Sequence, residues 1–288
     1  MADYRGRYLQ LVEEPPQVSG IESGERLLAA AVQRAQHAWG ERLIAAYALG
    51  SLAHGGFSAA SDVDVGLVLS DPLERQDAER VRGLSSSIAA SRQPFSDRLS
   101  VFWGSVATLS GASQGGRFPP LDRLDLKQYG RLLAGRDVRD ALPAPTQEEL
   151  VIAAAEFALS RLATDDVIAK LKDPEAVTRS DPKTLTKLVL FPVRFLFTAR
   201  TGAVGRNQAA VNHFAAGPER PASRLARMAL AWRDAPPKPS DRNAVAALAR
   251  GLLPLYREFL LDHEPRLREY GRPDLVEAFQ KWRLRLQP

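Results

Sequence analysis

The chain has 288 residues with 45% hydrophobic and 25% charged side chains, a composition that excludes wholesale disorder and leaves room for two ordinary domains. Its net charge is +5, yet 39 Lys and Arg are interspersed with 34 Asp and Glu, and no basic block is interleaved with aromatics as a nucleic-acid groove requires. With no cysteine, thiol redox chemistry, disulfides and thiolate metal sites are excluded.

The N-terminal MADYRGRYLQLVEEPP carries acids and prolines where a signal peptide needs an apolar stretch, and no apolar run approaches the ~18 residues of a membrane span. A cytoplasmic protein without a membrane partner is therefore expected, and residues 1–20 read as an extension. From Ile21, Leu28, Val32, Ala35 and Trp39 recur at helical spacing until Gly40 stops them. Residues 43–49 form an apolar run too short for a typical helix, and 62–69 alternate before turning apolar and ending at Asp71-Pro72. Both read as strands. A polar helix over 73–92 and a third strand over 98–103 follow, the latter with Leu99, Val101 and Trp103 on one face and Ser100 on the other. Residues 105–120 are rich in Gly, Ser and Pro and read as a loop beside the site, with another short element at 130–138.

Beyond Pro143-Ala144-Pro145-Thr146 strand signals cease, which sets expected domains at 21–143 and 144–288. Thr146 with Glu149 makes a capping box, and Asp181-Pro182 opens an apolar helix that runs through Pro192 to Gly202. Further helices are expected at 222–233, 243–262 and 273–286, with a proline-rich connection at 235–240. The fold class is thus α/β (α+β), strands first and helices after.

The stretch with chemical content is GSLAHGGFSAASDVDVGLVL, residues 50–69. A strand ends in Gly50-Ser51, a small-residue loop follows, and the next strand opens with Asp62 and Asp64, which share a face because strand side chains alternate. Two like charges side by side are tolerable if a divalent cation neutralises them, and magnesium favours one or two carboxylates completed by phosphate oxygens. Glycine permits a tight turn, and the serine adds a hydroxyl donor.

Gly50-Ser51, the loop and Ser61-Asp62-Val63-Asp64 resemble the DNA polymerase beta superfamily of nucleotidyltransferases. The segment LFPVRFLFTARTGAVGRNQA, 190–209, is similar to the helical second domain of aminoglycoside nucleotidyltransferases. The resemblance implies a small mixed-sheet nucleotidyltransferase domain followed by an all-helical one. It also implies nucleotide contact at Gly50, Ser51 and Ser61, and a catalytic and metal-binding role for Asp62 and Asp64. The implied activity is Mg2+-dependent transfer of AMP from ATP onto a hydroxyl of a small-molecule acceptor, aminoglycoside-like in kind; protein or RNA acceptors share the same chemistry.

Enzymes of this type usually carry a third acid on a later strand, and the matching position here is Ser100. A serine cannot act as that carboxylate, which leaves a catalytically degenerate nucleotide-binding or regulatory module as the alternative. Substitutes in the sequence are Asp97, if the strand bends, and Glu148, Glu149 or Glu156 from the second domain, with Glu156 first among these. His54 in the loop is expected as a solvent-exposed histidine, with contact to a phosphate as the alternative. Arg194 is either a nucleotide or substrate contact or an internally paired structural arginine.

Overall fold

A computed structural model describes residues 20–239 and 241–287; the expected N-terminal extension, apart from Gly20, and Ser240 lie outside the described residues. The strands are β1 (Leu43–Leu49), β2 (Val63–Leu69), β3 (Leu99–Ser105) and β4 (Arg131–Gly135). In the first half the helices are α1 (Gly20–Trp39), α2 (Gly50–His54), α3 (Asp77–Ala90), α4 (Val106–Leu109) and α5 (Pro120–Tyr129). In the second half they are α6 (Gln147–Leu162), α7 (Asp165–Leu171), α8 (Pro174–Thr178), α9 (Pro182–Thr201), α10 (Asn207–Phe214), α11 (Pro221–Ala231), α12 (Arg242–Glu269) and α13 (Pro273–Arg285).

The sheet runs β3-β2-β1-β4 and is mixed: β1 is antiparallel to both β2 and β4, whereas β2 and β3 are parallel. Alternation along the strands sends Val63, Val65, Leu67, Val101 and Trp103 to a core shared with α1 and α3. Tyr47, Leu49, Val68 and Phe102 go to the opposite face, where Leu126 of α5 meets them. Helices follow on the chain, and their core is built around α9, α11, α12 and α13, with Tyr256, Phe259, Phe279 and Trp282 fully or almost fully buried. A small cluster of Leu124, Leu150 and Val204 joins α5 to the helical half.

Local signals act as expected at several ends. Thr146 and Glu149 form the reciprocal capping box, Asp181 caps α9, and Gly202 closes α9 in the left-handed conformation at φ 70°. The expected loop at 105–120 needs correction. Ser105 nucleates the short α4 through a capping box with Thr108, Arg117 pairs back onto Trp103, and Pro119-Pro120 starts α5. α12 also outruns its expected end at 262, continuing through Pro265 to Glu269 because tertiary packing of Phe259, Leu260, His263 and Leu267 outweighs the lost backbone donor.

Candidate active site

β1 and β2 meet as an antiparallel pair that sets Leu49 opposite Asp64, so the turn at Gly50 lies directly against the second aspartate of the Asp-x-Asp pair. Gly50 has φ +62°, and a Cβ there would stand 2.4 Å from Asp64 Oδ2. The glycine is needed on both counts: a left-handed backbone and no side chain to displace the carboxylate. Its amide donates to Asp125 Oδ2 at 2.5 Å, which ties the corner to α5.

Asp62 and Asp64 open onto one cleft, bounded on the sheet side by Gly50, Ser51 and Ser61 and on the helical side by Lys187, Phe191 and Arg194. Helical spacing explains that wall. Lys183, Lys187 and Arg194 are four and seven residues apart and so fall on one stripe of α9, while Leu185, Leu188, Val189, Val193 and Leu196 enter the core. Asp62 is a quarter exposed and has both oxygens engaged: Lys183 Nζ pairs with Oδ1, and Lys187 Nζ donates to Oδ2 at 2.6 Å. These cations hold its carboxyl below the usual range against the opposing effect of burial.

Asp64 is in the opposite condition. Burial, reinforced by the negative charges of Asp62 and Asp125, pushes its pKa up to about 6. Ser100 lies beside it in register on the parallel β3 and partly opposes that shift, so the strand position nearest Asp64 carries a hydroxyl.

Two acids that the sequence reading passed over stand on the other side of Gly50. Asp122 and Asp125 are three residues apart on α5, share one face, and line a cavity of about 100 Å3 together with Asp64, His54, Arg194 and Phe195. Burial raises both, Asp122 to about 7 with further contributions from Asp64 and Asp125. Asp125 Oδ1 is buried without a hydrogen-bond partner and lies 3.8 Å from His54 Nε2. The usable signal was present: Leu121 and Leu124 flank acids at helical spacing between Pro120 at a helix start and Gly130 at its stop.

His54 is not an exposed loop residue. Its side chain is 9% exposed, packed edge-on against Tyr129, with burial lowering its pKa and Asp125 partly opposing that shift. Arg194 is partly buried in the cleft wall, donates from Nε to Gly205 O at 2.5 Å, and directs its positive charge at Asp125, Asp122 and Asp64. It therefore serves structure and cleft together. Ser61 is largely occupied, since its Oγ accepts from Ser58 N at 3.0 Å and from Arg233 Nη2 at 3.1 Å.

The proposed acidic substitutes fall elsewhere. Asp97 is mostly exposed beside Arg98, Glu149 is bound to its cap and to Arg123, and Glu156 pairs on the surface with Arg272. Glu148 does not line the cleft either.

A wider opening of about 520 Å3 continues from Ser51 and His54 past Phe57 to Arg206, Asn207, Gln208 and Arg233. Arg206 is stacked over Tyr129 at 4.8 Å, and Arg233 reaches Gly56 O at 2.7 Å. An acid pair, a glycine corner and a cationic helical wall thus converge on one groove.

A mixed four-stranded sheet with the Asp-x-Asp pair at the start of the inner strand β2, followed by a helical part, is the polymerase beta-like nucleotidyltransferase fold. The chain is similar to the crystal structure of spectinomycin adenyltransferase AAD(9) from Enterococcus faecialis, solved with ATP and spectinomycin, with a TM-score of 0.53 and 15% sequence identity. The likeness covers 78% of this chain and 96% of that one, and at this identity it establishes the fold. No family model and no curated protein matches the sequence.

Proposed function

We propose that the chain transfers a nucleoside monophosphate, AMP from ATP, onto a hydroxyl of a small-molecule acceptor and releases pyrophosphate. The observation that carries this reading is the pairing of Asp62 and Asp64 across the cleft from Lys183, Lys187, Arg194 and Arg233. Carboxylates and clustered cations on facing walls suit a polyphosphate that brings its own divalent ion.

The donor set fits magnesium. It is all oxygen, Asp62 already draws two ammonium groups, and the charge of Asp64 is destabilised by burial beside another acid, which a cation would relieve. Asp62 and Asp64 would hold the ion, which on binding supplies charge neutralisation at the α-phosphorus and the departing pyrophosphate. Lys183 and Lys187, released from Asp62, are placed to bind the β- and γ-phosphates, and Arg233 beside Ser61 to bind from the opposite rim. Gly50 and Ser51 form the corner against which the phosphates rest. The opening past Phe57 and Arg206 has the dimensions of a nucleoside site.

Support for a small acceptor comes from the neighbour's bound spectinomycin together with the small cavity beside Asp122 and Asp125. The test is pyrophosphate release from each nucleoside triphosphate with magnesium across a panel of hydroxylated acceptors, aminocyclitols included. Silence throughout, together with no triphosphate binding, would overturn the reading. Ser100 beside Asp64 favours a second reading, a nucleotide-binding module with weak or no turnover. Large activation by Ser100→Glu would support that second reading.

A further inference from the structure

Ser100 leaves the β3 position next to Asp64 without a proton acceptor, and resting on the nucleotidyl-transfer reading, a different residue has to deprotonate the attacking hydroxyl. α5 supplies two carboxylates to the same cavity, and their surroundings divide the work between them. Asp125 is immobilised: Oδ2 holds the Gly50 amide, and Oδ1 is enclosed near His54. Asp122 lies one turn nearer the start of α5 and lines the cavity, and among the described residues no hydrogen bond or ion pair occupies its carboxylate. Leu121 and Phe195 line the cavity beside it, and Leu124, buried in the cluster that joins the two halves, fixes the helix. At about 100 Å3 the space admits a hydroxyl-bearing fragment with little water.

We propose that Asp122, presented from α5 instead of from the sheet, takes the proton of the acceptor hydroxyl, and that Asp125 is a positioning residue that fixes the Gly50 corner. As the proton passes to Asp122, the acceptor oxygen forms its bond to the α-phosphorus. The bond from that phosphorus to the bridging oxygen breaks, and pyrophosphate leaves with the electron pair. The raised pKa of Asp122, caused first by burial, is compatible with a base working near neutrality.

The test uses the full-length chain, MgATP, and water as the acceptor of known identity, alongside any acceptor found in the panel. Binding of α,β-methylene-ATP with magnesium is measured separately by calorimetry. Asp122→Asn is expected to slow AMP and pyrophosphate formation by roughly 10² to 10⁴ while the analogue's Kd stays within about twofold. Asp122→Ala is expected to recover at least about tenfold in rate with formate, which fits the vacated space, and the double variant Ser100→Glu, Asp122→Asn to exceed Asp122→Asn alone by a similar factor. Chemical rescue separates a proton acceptor from a structural carboxylate. An Asp122→Asn enzyme as fast as the wild type, or an Asp122→Ala enzyme slowed but unmoved by formate, would overturn the assignment to Asp122 and leave nucleotidyl transfer standing. A wild type that forms no pyrophosphate under any condition would overturn the transfer reading and this one with it.

Discussion

Gly50→Ala puts the geometry of the corner to a quantitative test. A left-handed φ of +62° costs an L-residue roughly 1–2 kcal/mol. The new methyl would also stand 2.4 Å from Asp64 Oδ2, so the carboxylate must retreat by about 0.6 Å to reach 3.0 Å, the shortest separation that real Cβ atoms show. Backing the main chain away instead would stretch the 2.5 Å bond from the Gly50 amide to Asp125. Magnesium tolerates little error at its 2.0–2.1 Å oxygen distances, so a displaced Asp64 should lose the ion. Urea unfolding is expected to show a loss of about 1–3 kcal/mol, with the melting temperature falling roughly 2–4 °C per kcal/mol. Calorimetric affinity for a magnesium triphosphate analogue should drop by about tenfold or more. Gly40→Ala is the control: it shares a positive φ of +53° but would meet nothing within 4 Å, so it should lose comparable stability and keep its binding. Gly50→Ala with undiminished binding would show that the placement of Asp64 is immaterial to the ligand.

Lys183→Ala and Lys187→Ala each remove a cation from Asp62, and each is expected to weaken triphosphate binding by about tenfold, measured by the same titration; an unchanged Kd in the double variant would remove them from the site. Asp64 has a folded pKa of about 6 against an ordinary 3.8, so the native state binds the extra proton between these values and stability falls as pH rises through that window. The full effect is about 3 kcal/mol, and Asp64→Asn should flatten the slope and unfold at higher urea at pH 7, whereas lower stability at pH 7 would contradict a strained carboxylate. His263, fully buried against Phe259 and lowered from 6.5 to about 4 by burial, acts with the opposite sign. The unfolded chain takes up its proton first as pH falls from about 6.5 to 4, so about 3 kcal/mol is lost over that window, and acid-unfolding curves of His263→Leu should lack this component.

Much of the scaffold was legible because its signals are local. The apolar run 43–49, the alternation after Asp62 and the caps at Thr146 and Asp181 each determine their own element, and the structure places Asp62 and Asp64 on the cleft beside Gly50. The register of β2 on β3 also puts Ser100 beside Asp64, where a third acid was sought. What stayed hidden depends on tertiary packing. α5 is short and polar, and its Asp122 and Asp125 read as solvated until Leu124 and Leu126 are seen to anchor the helix under the sheet and against α6. His54 read as exposed because Tyr129 and Asp125, which enclose it, are more than seventy residues away in the chain. Glu156 and Glu149 were plausible by sequence position but are committed to Arg272 and Arg123. The lysines on Asp62 could not be foreseen either, since spacing along α9 reveals a stripe but not what faces it.

The most direct test is calorimetric titration of a nonhydrolysable ATP analogue into the wild type, Asp62→Asn and Asp64→Asn, with and without magnesium. Binding by the wild type that requires magnesium, and its loss in both folded variants, is the expected result. Equal binding in all three proteins, or wild-type binding indifferent to magnesium, would contradict a triphosphate held through those two carboxylates.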